Sequence, residues 1–378
     1  QSLSMELAYL TYTVIFVVTL FFAHAGIKRN DNFHRITNRK TWIFWGIAIV
    51  FYTVILGLRK DVGIDYVTYK EMFEWIDVST NADVICFLFK GIVKNYHYNY
   101  FIASLAFVPI CFMFLFFKDK TKFLVLFLFF YFTWGTMFDS LNIMRQMAAC
   151  TIIIYAISKY LNKDYVRFII FIILALCFHR SSLFVLPFIF LFRFDFTKSR
   201  RIILCLLVLS FVFGQNIYNQ FLLPVIDISF TAINVFSSYN IYLENFDLYS
   251  ERGRILVEGG TGLFNIFNLF VVIYAVYFSK ILKEKYKQYK FNVYYNFMIV
   301  GTVCYNILKY NEMLNRICYY FVYFRLIVFA MLFYYLLFVQ ENNTFKFLCV
   351  GIMLFGIVNY YYQIYICSQN IAPFLFIL

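Results

Sequence analysis

Five groups of polar residues interrupt an apolar chain of 378 residues, and their side chains suit phosphate and sugar chemistry. Residues 58–70, LRKDVGIDYVTYK, bring Arg59, a turn-permitting Gly63, and then Asp65, Tyr66 and Tyr69. Residues 141–149, LNIMRQMAA, bring Asn142, Arg145 and Gln146; on one continuous helix, Asn142, Arg145 and Ala149 share a face. Residues 178–182, FHRSS, bring His179 and Ser181, with Ser182 one helical turn from His179. Residues 309–320, KYNEMLNRICYY, set Glu312 four residues before Arg316 and run on to Tyr319 and Tyr320. The stretch 219–262 adds Glu251, Arg252, Arg254 and the GGTG run at 259–262.

Guanidinium groups grip phosphate oxygens through paired, planar hydrogen bonds and hold their charge at physiological pH. Tyrosine rings offer an apolar face to a sugar and a hydroxyl to its edge. Imidazoles and carboxylates take protons from attacking hydroxyls. No Asp-x-Asp or comparable acidic pair appears for a metal ion, so arginines would have to neutralise the phosphates themselves. A polyprenyl-diphosphate-linked sugar is one ligand that meets all these conditions.

Each group also has a plainer reading. Arg59 and Lys60 suit a helix end anchored at lipid headgroups. Arg145 lies a few residues into a span, where snorkelling serves, and His179 suits a hydrogen-bonded core histidine. Glu312 and Arg316 suit a surface ion pair worth roughly 0.2–0.5 kcal/mol. The GGTG run suits a loop entering a helix, because no strand precedes it. Asp77 and Asp83 read as solvated loop residues, and His24, His34 and His97 as interfacial ones. Convergence outweighs these readings, because the topology puts all five groups on one side of the membrane.

The elements that must position them are membrane helices. With 63% hydrophobic and only 14% charged residues, the chain is too apolar to stay dispersed in water. An all-α integral membrane protein with about twelve transmembrane helices is expected. The predicted spans are 7–26, 41–57, 98–117, 123–138, 141–158, 168–179, 182–192, 202–218, 263–279, 291–309, 316–338 and 346–366. The sixth and seventh are short and read as a hairpin whose tip carries His179, Arg180 and Ser181. Residues 1–4 read as a remnant ahead of an initiator at Met5, and 5–378 as a single polytopic transmembrane domain with outer loops 58–96 and 219–262.

Lys and Arg set the orientation. Connections 28–40, 118–122, 159–167, 193–201, 280–290 and 340–346 hold 21 of the 33 basic residues and are expected in the cytoplasm. The opposite connections hold 11, and Arg325 lies inside a span. Both termini then face outward, as do the five polar groups. The net charge of +13 is therefore a topology signal rather than a mark of nucleic-acid binding. Nine scattered cysteines show neither a C-x-x-C pair nor zinc spacing, so neither disulfides nor a metal nor another cofactor is expected.

The order Arg59-x-x-Val62-Gly63-Ile64-Asp65-Tyr66-x-x-Tyr69, Asn142-x-x-Arg145-Gln146-x-x-Ala149, His179-x-Ser181 and Asn315-Arg316 before an aromatic run resembles the EpsG-like branch of the Wzy-type bacterial polysaccharide polymerases. The resemblance covers nearly the whole chain. It implies an O-antigen, capsule or exopolysaccharide polymerase with a GT-C-like glycosyltransferase architecture, in the bacterial inner membrane, its site built from periplasmic loops. Such enzymes move a growing glycan from undecaprenyl diphosphate to the non-reducing end of an incoming lipid-linked repeat unit, often beside a Wzz-type chain-length regulator. On that reading Arg59, Arg145 and Arg316 stabilise the diphosphate, with Arg252 and Arg254 as lesser candidates. His179 is the preferred base and Asp65 its competitor, while Asn142, Gln146, Tyr66, Tyr69, Ser181 and Tyr320 position sugar or phosphate. Membrane lipid is the other expected partner.

Three rivals share parts of this pattern. A lipid-linked oligosaccharide flippase would carry charge through the depth of a central cavity, which Arg325 alone fits. A membrane acyltransferase would face its histidine toward a cytoplasmic donor. An O-antigen ligase shares the chemistry and differs only in its motifs.

Overall fold

Long apolar runs, with few strand-forming alternations, fold into helices wherever the chain is described. The computed structural model describes residues 2–27, 39–75, 91, 97–224 and 262–376. Arg252, Arg254, Glu251, residues 259–261 of the Gly-rich run, Asp77, Asp83 and His34 lie outside the described residues. In chain order the helices are α1 Ser2–Ala25, α2 Arg39–Gly57, α3 Tyr66–Trp75, α4 Asn99–Phe117, α5 Leu124–Thr133, α6 Thr136–Asn142, α7 Met144–Leu161, α8 Tyr165–Phe178, α9 Arg200–Ile217, α10 Gly262–Lys285, α11 Phe291–Leu308, α12 Glu312–Tyr334 and α13 Asn343–Tyr365. One short antiparallel ladder joins β1 Arg59–Lys60 to β2 Leu375–Phe376, with Arg59 opposite Phe376 and Lys60 opposite Leu375.

Seven of the described helices are long and apolar enough to cross a membrane, or up to eight if one bent pair counts as a span. Twelve were expected, and the difference has local causes. The segment at 123–138 is two helices, bent by 64°. The bend falls at Gly135, whose φ of +83° is open to glycine and costly for other residues. Helix α8 has 14 residues, about 21 Å at 1.5 Å per residue, against about 30 Å of hydrocarbon. The next predicted span is a 3₁₀ helix, Arg180–Arg193, interrupted by Pro187, which has no N–H to donate. Helices α7 and α11 are long enough but polar. The first carries Arg145, Gln146 and Lys159; the second carries Asn292, Asn296 and Asn306.

Protein rather than lipid covers most of these polar helices. Along α7 nearly every residue from Gln146 to Lys159 is buried. Elsewhere large apolar side chains face outward: Leu10, Val17 and Phe21 on α1, Val50 and Val54 on α2, Val212 on α9, Leu354 and Val358 on α13. So large an exposed apolar surface is tolerated only against lipid.

The fold divides into two compact units, residues 1–183 with 329–378, and residues 184–328. In the first, α7 packs against α4 and α8, α4 against α2, and α2 against α1. Polar groups in this interior are paired, as a lipid environment demands. Tyr52 and Tyr131 hydroxyls meet at 2.8 Å, and Tyr131 meets Ser140 Oγ at 2.9 Å. The bend at Gly135 leaves the Thr133 carbonyl without its helical donor, and Asn359 Nδ2 of α13 donates to it at 3.1 Å. In the second unit α9 packs against α11 and α10. There Lys283 Nζ donates to Asp195 Oδ2 at 2.6 Å and Asn306 Nδ2 to Ser210 Oγ at 2.9 Å.

The first unit gathers several chain segments at one end. Met5 of α1 lies near Cys367, just past α13, with the sulfurs 4.0 Å apart. Beside them are the end of α2, the start of α4, the α6–α7 junction and the β1–β2 ladder. Helices α7 and α8 run antiparallel through the short connection at 162–164, so His179 returns toward the Arg145 end.

Candidate functional site

Arg59 is the deepest polar residue of this end. It leaves α2 in an extended strand, and its side chain is fully buried. Its Nη2 donates to the Leu141 carbonyl at 2.8 Å and reaches Met144 Sδ at 3.2 Å. Leu141 is in the last turn of α6, so the cation caps the negative end of that helix. Nε and Nη1 find no acceptor among the described residues. Tyr12, Tyr52, Tyr69 and Tyr98 are near enough to act on the charge of the guanidinium. Burial pushes its pKa down to about 10, which leaves it charged at neutral pH.

The Gly63 turn carries the chain from the strand into α3. Gly63 has φ +100°, and a Cβ built on it would sit 2.9 Å from Asn142 Oδ1 and 3.2 Å from the Leu141 carbonyl. Asp65 stands at the N-cap of α3, where its carbonyl accepts from Tyr69 N at 2.9 Å, and its side chain is half-buried. Tyr66 and Tyr69 are then one turn apart on the same buried face. The Tyr66 ring lies 6.0 Å from the Arg59 guanidinium carbon, and the Tyr69 ring lies 6.0 Å from that of Arg145. Both are at the outer reach of a cation–π contact. Tyr66 also donates to the Arg59 carbonyl at 3.1 Å and shares a hydrogen bond with Tyr98. Gly63→Ala would strain the backbone and collide with Asn142. Amide exchange across residues 61–66 should then speed about tenfold or more, equivalent to roughly 1.4 kcal/mol of local stability.

The second polar group departs from the single helix expected for it. Helix α6 ends at Asn142, Ile143 takes φ −82° and ψ 50°, and α7 starts at Met144. Asn142 therefore closes one helix while Arg145 opens the next, and the shared face expected with Ala149 is broken. The break has a chemical result. Arg145 stands in the first turn of α7, where the helix dipole favours an anion. Its backbone N–H donates to the Tyr69 hydroxyl at 3.4 Å, and its side chain is half-buried. Gln146 is buried beside it. Asn142 is buried and accepts from Asp65 N at 3.5 Å.

His179 ends α8 in an extended conformation, φ −159° and ψ 118°, before the 3₁₀ helix begins. Its ring is half-buried; its carbonyl accepts from Ser182 N at 3.0 Å, and Ser181 is half-buried next to it. Arg59, Asp65, Tyr66, Tyr69, Asn142, Arg145, Gln146, His179 and Ser181 thus all belong to the first unit.

Arg316 and Tyr320 belong to the second unit. Asn311 Oδ1 caps α12 by accepting from Leu314 N at 3.1 Å. One turn into the helix, Arg316 Nη2 donates to Glu312 Oε1 at 3.2 Å, which is the i, i+4 pair read from the spacing. Tyr320 is fully buried. Further along, Arg325 lines a small cavity with Thr302, Tyr305 and Cys318.

Several residues at these sites carried no sequence signal. Asn99 Nδ2 donates to the Gly57 carbonyl at 2.6 Å and to the Arg59 carbonyl at 3.3 Å, and so fixes the exit of α2. Gln369 and Asp139 contact Asn142 directly or through one another. The only trace of Gln369 was a polar run, SQN, after the last apolar block. In the second unit Lys309 is buried near the rings of Phe211 and Tyr310. Among the described residues, no three His, Cys, Asp or Glu side chains group so as to hold a metal ion.

A family model described as the EpsG family matches residues 42–376 of the chain. No curated protein and no solved structure matches it.

Proposed function

Because the chain belongs to the EpsG family, a family of Wzy-like polysaccharide polymerase-related membrane proteins, we propose that it polymerises lipid-linked glycan repeat units. The observation that carries the reading from family to site is Arg59. A fully buried guanidinium has lost its hydration, at a cost of several kcal/mol that a paired anion normally offsets. Two of its nitrogens lack an acceptor among the described residues. Arg145 and the N-terminus of α7 stand on the adjoining segment, which favours a strongly anionic ligand at this end.

The reaction follows from that polarity. An acceptor sugar hydroxyl attacks C1 of the donor glycan and gives its proton to the base. A glycosidic C–O bond forms, the C1–O bond to phosphate breaks, and undecaprenyl diphosphate leaves as an anion. His179 is the proposed base, with Asp65 the alternative. Arg145 contacts the diphosphate. Arg59 supplies charge from beneath, held at the C-terminus of α6. Tyr66 and Tyr69 shape the floor, and Asn142, Gln146 and Ser181 orient sugar or phosphate. Charge stabilisation aimed at a leaving anion is worth a factor of about 10²–10³ per donor in comparable sites. We place the site on the periplasmic side of a bacterial inner membrane, with both termini on that side, in a GT-C-like arrangement. Inversion at C1 and pairing with a Wzz-type regulator belong to the same reading.

The test uses purified protein, synthetic polyprenyl-diphosphate-linked repeat units and EDTA, with products resolved on a gel. A ladder spaced by one repeat, formed at an unchanged rate in EDTA, is the expected result. Folded protein given its native repeat without producing a ladder overturns the proposal and points to lipid flipping or ligation.

A further inference from the structure

We propose that Gln369 and Asp139 are positioning residues of the site, so that the chain after the last helix is a working part of it. This inference rests on the polymerase reading for its effect on rate, though its structural half stands without it. Asp139 carries two oxygens that only accept, so the nitrogen of the Gln369 amide must face it, and Nε2 donates to Oδ1 at 2.8 Å. That leaves the Gln369 oxygen to accept, and Asn142 Nδ2 donates to it at 2.6 Å. The Asn142 oxygen is then turned away from Gln369, and it accepts from the backbone N–H of Asp65 at 3.5 Å. One carboxylate therefore sets the sense of every amide in the relay. The relay ends on the Gly63–Asp65 turn, between Arg59 and the two tyrosines of α3.

The backbone around Gln369 is arranged for this contact. Cys367, Gln369 and Asn370 have φ of 51°, 56° and 55°, a left-handed region that costs an L-residue about 1–2 kcal/mol. Such strain persists only where surrounding contacts impose it. Here those contacts are specific: Gly63 N donates to the Asn370 carbonyl at 2.9 Å, and the Tyr12 hydroxyl donates to the Ile371 carbonyl at 2.7 Å. Phe374 is fully buried, and β2 pairs with the strand that carries Arg59. The tail thus ties down both the Arg59 strand and the Asn142 amide.

The closing experiment compares Gln369→Glu, Gln369→Leu, Asp139→Asn and the double variant Asp139→Asn/Gln369→Glu. Gln369→Glu sets two carboxylates against each other and removes the donor, and it should lower kcat by about 10- to 100-fold while KM changes far less. In the double variant the carboxylate moves to position 369 and accepts from both neighbours, so Asn142 keeps its orientation. Activity should return to within about threefold of the parent, which a merely structural role for either residue does not produce. Independently of activity, Gln369→Leu should speed amide exchange at Gly63 and Asp65 about tenfold or more. Parental kcat in both Gln369 variants, or a double variant no better than the worse single one, overturns the proposal. If the parent itself builds no ladder, the polymerase reading falls and exchange alone decides. Faster exchange at Gly63 and Asp65 then supports the relay, and parental exchange overturns it.

Discussion

Arg59→Met should slow polymer formation by two to three orders of magnitude, roughly 10²–10³-fold, and leave the protein at least as stable as the parent. The two effects diverge because the guanidinium is costly where it sits. Removing a desolvated charge relieves a penalty of several kcal/mol. Against this, the substitution forfeits the hydrogen bond to the Leu141 carbonyl, which is worth about 1 kcal/mol. Met fills much of the same volume, and Met144 already lines the place. On the proposed mechanism activity moves the other way, because charge aimed at a leaving diphosphate acts chiefly in the transition state. A loss of about 10²–10³-fold in kcat is expected. Arg59→Lys, which keeps the charge but not the planar fork, should fall between the two. The measurement pairs the initial rate of ladder growth with a melting temperature in the same detergent. A Met variant that polymerises normally removes Arg59 from the reaction; one that melts far below the parent makes it a structural cap instead.

The sequence foretold the class of the molecule more readily than its working parts. Apolar blocks declare membrane helices because the bilayer demands them, and the order of the Arg, Asn, His and Tyr motifs was enough to recognise the family. Length and hydropathy do not distinguish a straight span from a bent or short one. Gly135 turns the chain by 64° inside a block that reads as a single helix, and α8 is one or two turns shorter than a crossing needs. The break at Ile143 was hidden for a related reason. Nothing in LNIMRQ discourages a helix, so Asn142 and Arg145 looked like neighbours on one face. It is the packing around Arg59 and the tail that ends α6 there.

The tail was the least legible element. Arg59 pairs with Phe376, more than three hundred residues away, through a ladder of two residues with no alternating pattern. Gln369 and Asn370 take left-handed conformations that sequence assigns to glycine. Only the three-dimensional contact reveals why these residues accept that strain. Arg59 and Arg145 draw attention because their chemistry is conspicuous in the sequence. Gln369 is a common amide, and only the fold reveals its contacts with Asn142 and Asp139.

Asp65 and His179 divide the remaining question, and two substitutions separate them. His179→Ala should cost about 10²–10⁴-fold in kcat, the range of a lost general base. Its position supports that role: α8 returns the ring to the Arg145 end, on an extended residue where the helix stops. The adjoining Ser181 and the backbone bond from Ser182 hold the same turn. Asp65 instead stands at the N-cap of α3, where its carbonyl accepts from Tyr69 N and its backbone N–H is held by Asn142. Asp65→Asn keeps the shape, so it should lose roughly 10-fold or less in kcat through weakened positioning. Rates are to be taken at saturating acceptor, so that a binding defect does not pass for a catalytic one. A reversal, with Asp65→Asn inactive and His179→Ala close to the parent, would transfer the proton to the carboxylate.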